Sequence, residues 1–240
     1  MTEKFILYEL KKWIRDPMMI FLLAYPIILA GIIRVGIPIA EEQFHFSLAQ
    51  YYHIFVAGVM LLTAAVTGGV IGFSILDDRD DKILYAVDVS PVSFNVFMGL
   101  RFAMCFILTY ISCIIAIIIV DLVEIPLYAI LLVTISISLF SSISAMFVNF
   151  FATNKVEGFA MMKAGAIIVI FPIVSMFFID FKEFFFGFEP NFWAVKALSV
   201  AILPNVDFNL GFWGYYLVGI VYVVVLNLLV FKIFKKRVIV

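Results

Sequence analysis

The sequence predicts an all-α polytopic membrane protein with six transmembrane helices. Hydrophobic residues make up 65% of the 240 residues and charged residues only 14%, and the mean hydropathy is +1.18. A soluble domain needs more polar surface than this composition supplies. A membrane helix needs about 20 apolar residues to cross ~30 Å of hydrocarbon. The chain contains six such runs, which leaves no room for a soluble catalytic domain.

The N-terminal residues 1–16 predict an amphipathic elbow helix. Leu10 and Trp13 belong to an apolar stripe at helical spacing, and the basic residues lie mostly on the other side. A basic helix with a Trp on its apolar face suits the plane of the membrane surface. Asp16 and Pro17 then predict the N-cap and the first position of a new helix.

Residues 17–240 predict one six-span transmembrane domain. Its spans are predicted at residues 17–39, 54–76, 99–120, 127–152, 159–179 and 211–231. The second span carries two pairs of small residues four apart, Ala65 with Gly69 and Gly68 with Gly72, which predict close contact with another helix.

Serines in the fourth span admit two interpretations, close helix packing or a polar lining for a translocation path. They are Ser136, Ser138, Ser141, Ser142 and Ser144.

The segment 180–210 before the last span is rich in aromatic residues and is broken by Gly187, Pro190 and Pro204. Its apolar piece 192–203 is too short to cross a bilayer. Non-helical backbone at membrane depth must be shielded by protein or water. We therefore predict a re-entrant or interfacial helix pair on the outer side.

The connection 77–98 between the second and third spans begins with the acidic run Asp77, Asp78, Arg79, Asp80, Asp81 and Lys82. The basic residues that interleave the carboxylates favour ion pairing along a helix, or docking of a partner, over a metal site. The outer loop after the first span contains Glu41, Glu42, His45 and His53, but their spacing matches no standard ligand motif. We expect no metal site in the chain.

The distribution of Lys and Arg predicts the orientation in the membrane. With the N-terminus inside, thirteen basic residues lie on the inner side and three, Arg34, Lys182 and Lys196, on the outer side. Because cytoplasmic loops carry the excess of Lys and Arg, both termini and the connection 77–98 are predicted to be cytoplasmic.

Several functions are disfavoured by residues that the sequence lacks. No Asp, Glu or His lies well inside any predicted span, although ion-driven carriers usually keep such groups there as relays. The spans carry no protease constellation. No Lys is followed by Ser or Thr, so the chain has no phosphate-binding loop. If nucleotide powers transport, another polypeptide binds it.

Three stretches give the chain a resemblance to a known family. They are the lead helix 7–17, the acidic stretch that runs from Asp78 to Leu84 and on to Ser93, and Leu203-Pro204-Asn205 at the end of the outer segment. In these features, and in its whole layout, the chain resembles the membrane subunits of ABC exporters of the ABC-2 permease class, which have the type V exporter fold. It departs from the usual pattern where Asp replaces the commoner Glu and where Lys82-Ile83 stands for a frequent Gly-Thr.

The resemblance implies a transport subunit of a prokaryotic plasma membrane and not an enzyme. It implies a second permease subunit, identical or related, and a separate cytoplasmic ATPase that binds ATP and Mg²⁺, so the chain itself has no catalytic residue and no cofactor. The substrates implied are amphipathic or hydrophobic: drugs, peptide antibiotics or lipid-like molecules. No substrate-binding residue is predicted. The implied ATPase-docking residues are Asp77, Asp78, Arg79, Asp80, Asp81, Lys82, Leu84, Lys11, Lys12 and Arg15.

Two other functions remain open at this point. One is a metal-dependent, membrane-embedded enzyme that modifies lipids through the acidic cluster. The other is an accessory or immunity protein that sequesters a lipophilic peptide without pumping it.

Overall fold

A computed structural model describes residues 2–83, 87 and 93–238. This part of the chain consists of helices and connecting turns and contains no strand, which confirms the all-α fold class. The helices are α1 (Thr2–Arg15), α2 (Pro17–Phe44), α3 (Tyr52–Asp80), α4 (Phe94–Val120), α5 (Leu127–Phe151), α6 (Lys155–Ile168), α7 (Ile170–Ser175), α8 (Pro190–Ile202) and α9 (Phe212–Val238). Residues 84–86, which include the predicted docking residue Leu84, and residues 88–92 lie outside the described part of the chain.

Within the described residues, six helical segments are long and apolar enough to cross a membrane, which agrees with the predicted number of spans. They comprise α2, α3 with the short 3₁₀ turn before it, α4, α5, α6 together with α7, and α9. Trp13 of α1 and Phe234 near the end of α9 belong to the same buried core cluster, so the two ends of the described chain lie at one end of the bundle. We call this the termini side.

Local sequence signals explain where several helices begin and break. The Asp16 side chain accepts a hydrogen bond of 2.9 Å from the Met18 amide, so Asp16 and Pro17 start α2 as predicted. The fifth span is divided at Val169 into α6 and α7. Pro172 explains this break, because its ring conflicts with a helical carbonyl four residues earlier.

Helix α3 is the central helix of the bundle, and it continues to Asp80, beyond the predicted end of the span at residue 76. It packs against both α4 and α5. A Cβ built on Gly68 would lie 2.7 Å from the Ser144 Cβ on α5, and one on Gly72 would lie 3.1 Å from the Ala145 carbonyl oxygen. The Gly68–Gly72 pair therefore permits the close helix contact that the sequence predicts, and the structure shows that the partner helix is α5.

The serines of α5 serve this packing. The Ser144 hydroxyl donates to the Ala65 carbonyl of α3 at 3.3 Å. Ser141 is buried and donates to the Ser138 carbonyl of its own helix at 2.7 Å. These contacts favour the close-packing interpretation for Ser141 and Ser144.

The segment before the last span is broken as predicted, with a 3₁₀ turn at Phe181–Phe186 followed by the 13-residue α8. At ~1.5 Å per residue, α8 is too short to cross the hydrocarbon. Phe192, Val195 and Leu198 of α8 are fully buried by the surrounding helices. Protein therefore shields this short helix.

The contact between α3 and α5 predicts different effects on stability for two glycine substitutions in α3. Gly68→Ala should destabilise the protein by about 1–3 kcal/mol, because the new methyl group meets backbone and Cβ atoms of α5. Gly58→Ala is the matched control, since no atom lies within 4 Å of its new Cβ. It should be neutral or stabilising by up to about 1 kcal/mol. Thermal unfolding in detergent measures both effects, and equal melting temperatures would contradict the packing described.

Candidate functional site

Three buried charged side chains from three helices meet on the termini side. Arg101 of α4 donates from Nη2 to Glu9 Oε1 of α1 at 2.6 Å and forms an ion pair with Asp78 of α3. Each of the three side chains is at most 2% exposed. Arg101 also lies over the Phe97 ring, 4.9 Å from its centroid. A buried charge is tolerated when such partners surround it.

Lys12 and Ser74 extend this cluster between α1 and α3. The Lys12 Nζ lies 3.0 Å from Asp78 Oδ1 and donates to the Ser74 carbonyl at 3.3 Å. The Ser74 hydroxyl donates to Glu9 Oε2 at 3.1 Å. We call Glu9, Lys12, Ser74, Asp78 and Arg101 the elbow junction. It binds α1 to α3 and α4 through charged hydrogen bonds.

Asp77 links the elbow junction to the start of α6. Its carboxylate lies 3.6 Å from Lys12 Nζ and 3.0 Å from Lys155 Nζ. Lys155 also lies 3.7 Å from Asp16 at the start of α2. Arg79 donates to the Ala152 carbonyl at the end of α5 at 3.3 Å, where a positive charge complements the helix dipole. Four spans therefore meet around the acidic end of α3.

Helix α1 is oriented differently from the sequence prediction. Trp13 is 2% exposed and packs in the apolar core beside the junction, so it does not lie on the lipid-facing stripe. Among the α1 side chains that the structure describes, the exposed apolar ones are Leu7, Leu10 and Ile14. Glu9 and Trp13 are four residues apart and therefore share one face. The partners of Glu9 on α3 and α4 fix that face toward the protein.

The predicted docking residues fall into distinct environments. Lys11, Arg15, Asp80, Asp81 and Lys82 are exposed, whereas Lys12, Asp77 and Arg79 are partly buried and Asp78 is buried. Leu84 lies outside the described residues. The docking role of these residues stays a prediction.

The sequence alone does not predict that Glu9, Ser74, Lys155 and Arg101 belong to this region. An ionisable residue at a span end requires a partner or access to water. Arg101 therefore carried a signal, but the sequence could not show which carboxylate it meets.

The acidic run is not arranged as a metal site. Its carboxylates at Asp77 and Asp78 face Lys12, Arg101 and Lys155. Among the residues that the structure describes, no group of three or more His, Cys, Asp or Glu side chains is placed to hold a metal ion.

A second buried cluster lies on the opposite side of the bundle. Glu183 Oε2 is 2.6 Å from Lys196 Nζ of α8, and both side chains are fully buried. Glu183 also accepts hydrogen bonds from Asn209, at 2.9 Å, and from Tyr215. The Lys196 ammonium donates to the Phe178 carbonyl as well. This cluster fixes the broken segment to the last span.

Glu189 forms the N-cap of α8 and is buried. Its Oε2 accepts from the Phe192 amide at 3.0 Å, and its Oε1 accepts from the Asn191 side chain at 2.9 Å. Burial raises the pKa of the Glu189 carboxyl to about 8, although these hydrogen bonds oppose the increase.

The six candidate spans among the described residues define the chain as a polytopic membrane protein. The chain belongs to the family described as fluoroquinolones export permease protein Rv2686c-like, whose model matches residues 9–231. This membership confirms the predicted class of export permease.

Two relatives come from Mycobacterium tuberculosis. They are the fluoroquinolones export permease protein MT2760 of strain CDC 1551 / Oshkosh and the fluoroquinolones export permease protein Rv2686c of strain H37Rv. Each is 30% identical to this chain over 234 residues, which cover 93% of this chain and 89% of the relative. No solved structure matches the chain.

The elbow junction predicts a large loss of stability when Arg101 is removed. Arg101→Met should cost about 3–5 kcal/mol, because it leaves Glu9 and Asp78 buried without their main partner. Arg34→Met is the control, because Arg34 pairs with Asp121 at 3.1 Å while both side chains are at least half exposed. It should cost at most about 1 kcal/mol. Chemical unfolding in detergent measures both, and equal losses would contradict the burial described.

A triple substitution separates pairing from simple packing. Glu9→Gln and Asp78→Asn added to Arg101→Met remove the unpaired charges, so the triple variant should recover part of the stability that Arg101→Met loses. A triple variant that is less stable than Arg101→Met would show that unpaired charge is not the cause of the loss.

The raised pKa of Glu189 predicts a pH-dependent stability. Between about pH 4.5 and 8 the folded protein holds a proton that the unfolded chain releases, so stability falls as pH rises through this window. The slope should reach about 1.4 kcal/mol per pH unit. Glu189→Gln keeps an N-cap oxygen and should flatten the profile between pH 5.5 and 8.

Glu124→Gln is the control for this measurement, because Glu124 is exposed. Its melting temperature should follow the wild-type pH profile. A Glu189→Gln profile as steep as that of the wild type would show that Glu189 does not titrate in this range.

Proposed function

We propose that the chain is the membrane permease subunit of an ATP-driven ABC exporter. A separate cytoplasmic ATPase subunit binds ATP and Mg²⁺, and a second permease subunit, identical or related, completes the assembly. The exported molecules are amphipathic or hydrophobic, with fluoroquinolone drugs as the first candidates. The observation that carries this proposal is the family match over residues 9–231, since the relatives are named as fluoroquinolones export permeases.

The elbow junction gives the proposal a mechanical basis. Helix α1 is joined to α3 and α4 by buried ion pairs, and Asp77 connects α3 to the start of α6 through Lys155. A force applied to α1 or to the end of α3 would therefore move several spans together. A conformational change driven by nucleotide requires contacts that differ between the two states. The elbow junction is the place where the spans would receive that change.

The exposed charges around the junction are the proposed docking surface for the ATPase. Lys11 and Arg15 of α1 and Asp80, Asp81 and Lys82 at the end of α3 are all exposed. Their alternating signs suit a partner of complementary charge pattern, which sets orientation and association rate. Asp78 supports this surface from beneath, because it is buried in the junction.

The proposal places the termini side in the cytoplasm of a prokaryotic cell. It rests on the thirteen basic residues assigned to that side against three on the other. The buried cluster around Glu183 would then face the outside. The docking surface would face the compartment in which ATP is present.

The two other functions are less well supported. A metal-dependent enzyme would need free carboxylates, but Asp77 and Asp78 are used in ion pairs with Lys12, Arg101 and Lys155. A protein that only sequesters a peptide would need no ATPase. It would also have no use for a junction that joins an external helix to several spans.

Charge reversal of the docking surface tests the proposal. The variant Asp80→Lys, Asp81→Lys, Lys82→Glu should lose co-purification with the ATPase subunit by at least about tenfold and should no longer export ciprofloxacin, because opposed like charges disfavour the complex. The matched control, Glu124→Lys with Asp207→Lys, reverses two exposed charges on the opposite side and should retain both properties.

Expression and melting temperature should be equal in the two variants, because all the substituted residues are exposed. ATPase binding and ciprofloxacin export that persist in the docking variant would refute the assigned docking surface. Export that continues in cells without any ATPase partner would refute the proposed ATP-driven mechanism.

A further inference from the structure

A groove of about 600 Å³ runs along the membrane-facing surface of the bundle. Its floor is α5, and its walls are α4 and α9, which both pack against α5. This volume lies within the ~300–1,000 Å³ that small-molecule sites usually have. The groove is therefore large enough for a drug-sized molecule.

Aromatic rings form much of the groove. Phe102 and Phe106 lie on the α4 wall, and Phe231 lies on the α9 wall. Phe102 and Phe231 meet edge to face at 6.0 Å between ring centroids. Aromatic walls favour a planar ring system, because a flat ligand can stack on one ring and meet the edge of another.

Two polar groups in the groove retain hydrogen-bonding capacity. The Asn227 amide nitrogen donates to the Leu139 and Val223 carbonyls at 3.0 and 2.9 Å, whereas its amide oxygen accepts no hydrogen bond from any described residue. The Ser142 hydroxyl also has no partner within the described part of the chain, although Ser142 is only 7% exposed. A ligand with a donor and an acceptor could satisfy both groups.

The lining of the groove includes no Asp, Glu, Lys or Arg among the described residues. Any formal charge on a bound ligand would therefore lose its hydration without gaining an ionic partner. These features select the uncharged form of a molecule that combines flat rings with a few hydrogen-bonding groups, such as the uncharged tautomer of an amino acid drug. A flexible acyl chain would leave the amide oxygen of Asn227 and the hydroxyl of Ser142 unpaired.

We propose that this groove, defined by α4, α5 and α9, binds a planar, uncharged aromatic amphipath that enters sideways from the bilayer. Exposed Ile107 and Leu228 border the groove and would face lipid. Gly99 near the start of α4 and Met146 near the end of α5 place the groove in the half of the bundle nearest the termini. This inference rests on the proposed export function. The groove would take up the substrate from the bilayer leaflet on the termini side.

Gly99 allows a direct test, because no atom lies within 4 Å of a Cβ built there. Gly99→Leu should fill the groove without straining the backbone. Gly36→Leu is the matched control, since it places the same side chain in equally open space on α2, which contributes no residue to the groove lining. Ser142→Ala removes the free hydroxyl with little change in volume.

The measurement is the fluorescence anisotropy of ciprofloxacin bound to the full-length protein in phosphatidylcholine nanodiscs, with empty nanodiscs as background. Gly99→Leu should raise the dissociation constant by at least about tenfold, since its side chain occupies the site. Ser142→Ala should raise it by about two- to tenfold, the range expected for one hydrogen bond. Gly36→Leu should stay within about twofold of the wild type.

The outcomes separate the groove from the export function. Unchanged ciprofloxacin binding in Gly99→Leu would overturn the groove assignment. It would not affect the export proposal, which the charge-reversal variant of the docking surface tests separately. The assignment would also be overturned if Gly99→Leu lost only bound phospholipid, or changed only the oligomeric state. A wild-type protein that binds no ciprofloxacin would overturn it as well. Weaker ciprofloxacin binding in Gly99→Leu and Ser142→Ala, with unchanged binding in Gly36→Leu, would support the groove assignment.

Discussion

The buried pairing of Arg101 with Glu9 and Asp78 is the interaction on which the rest of the structure depends. It places one cation and two carboxylates from α1, α3 and α4 in a buried environment. Such groups are tolerated only while they remain together, since separating them would leave charges uncompensated at low dielectric. The elbow helix is therefore not an independent attachment to the bundle. It is held at a defined position relative to the central helix α3.

The central position of α3 extends this constraint through the bundle. Its glycines permit close contact with α5, whose carbonyl and side-chain atoms occupy the space that larger residues would need. On the opposite side, the Glu183–Lys196 pair joins the two parts of the broken segment, and Tyr215 links Glu183 to the last span. Paired charges thus fix both ends of a bundle whose middle is held by van der Waals packing. This arrangement suits a subunit whose spans move together.

The sequence predicted the class of fold and most elements because hydropathy, capping and small-residue spacing are local signals. Asp16 and Pro17 marked the start of α2, and the Gly68–Gly72 pair marked the contact face of α3. The pairing at the elbow was not predictable, because it joins residues up to 92 positions apart. For the same reason the sequence pattern predicts a Trp13 that faces the membrane, whereas the partners of Glu9 orient this face of α1 toward the protein. The groove beside α5 also depends on tertiary packing, and no sequence motif predicts it.

The claim that buried charges fix α1 to the bundle is tested most directly by hydrogen exchange followed by mass spectrometry on the full-length protein. In the wild type, the amides of residues 2–15 should exchange slowly, and in Arg101→Met they should exchange at least about tenfold faster while α5 and α9 stay protected. Equal protection of α1 in the two proteins would contradict the account. Uniform loss of protection over the whole chain would contradict it as well.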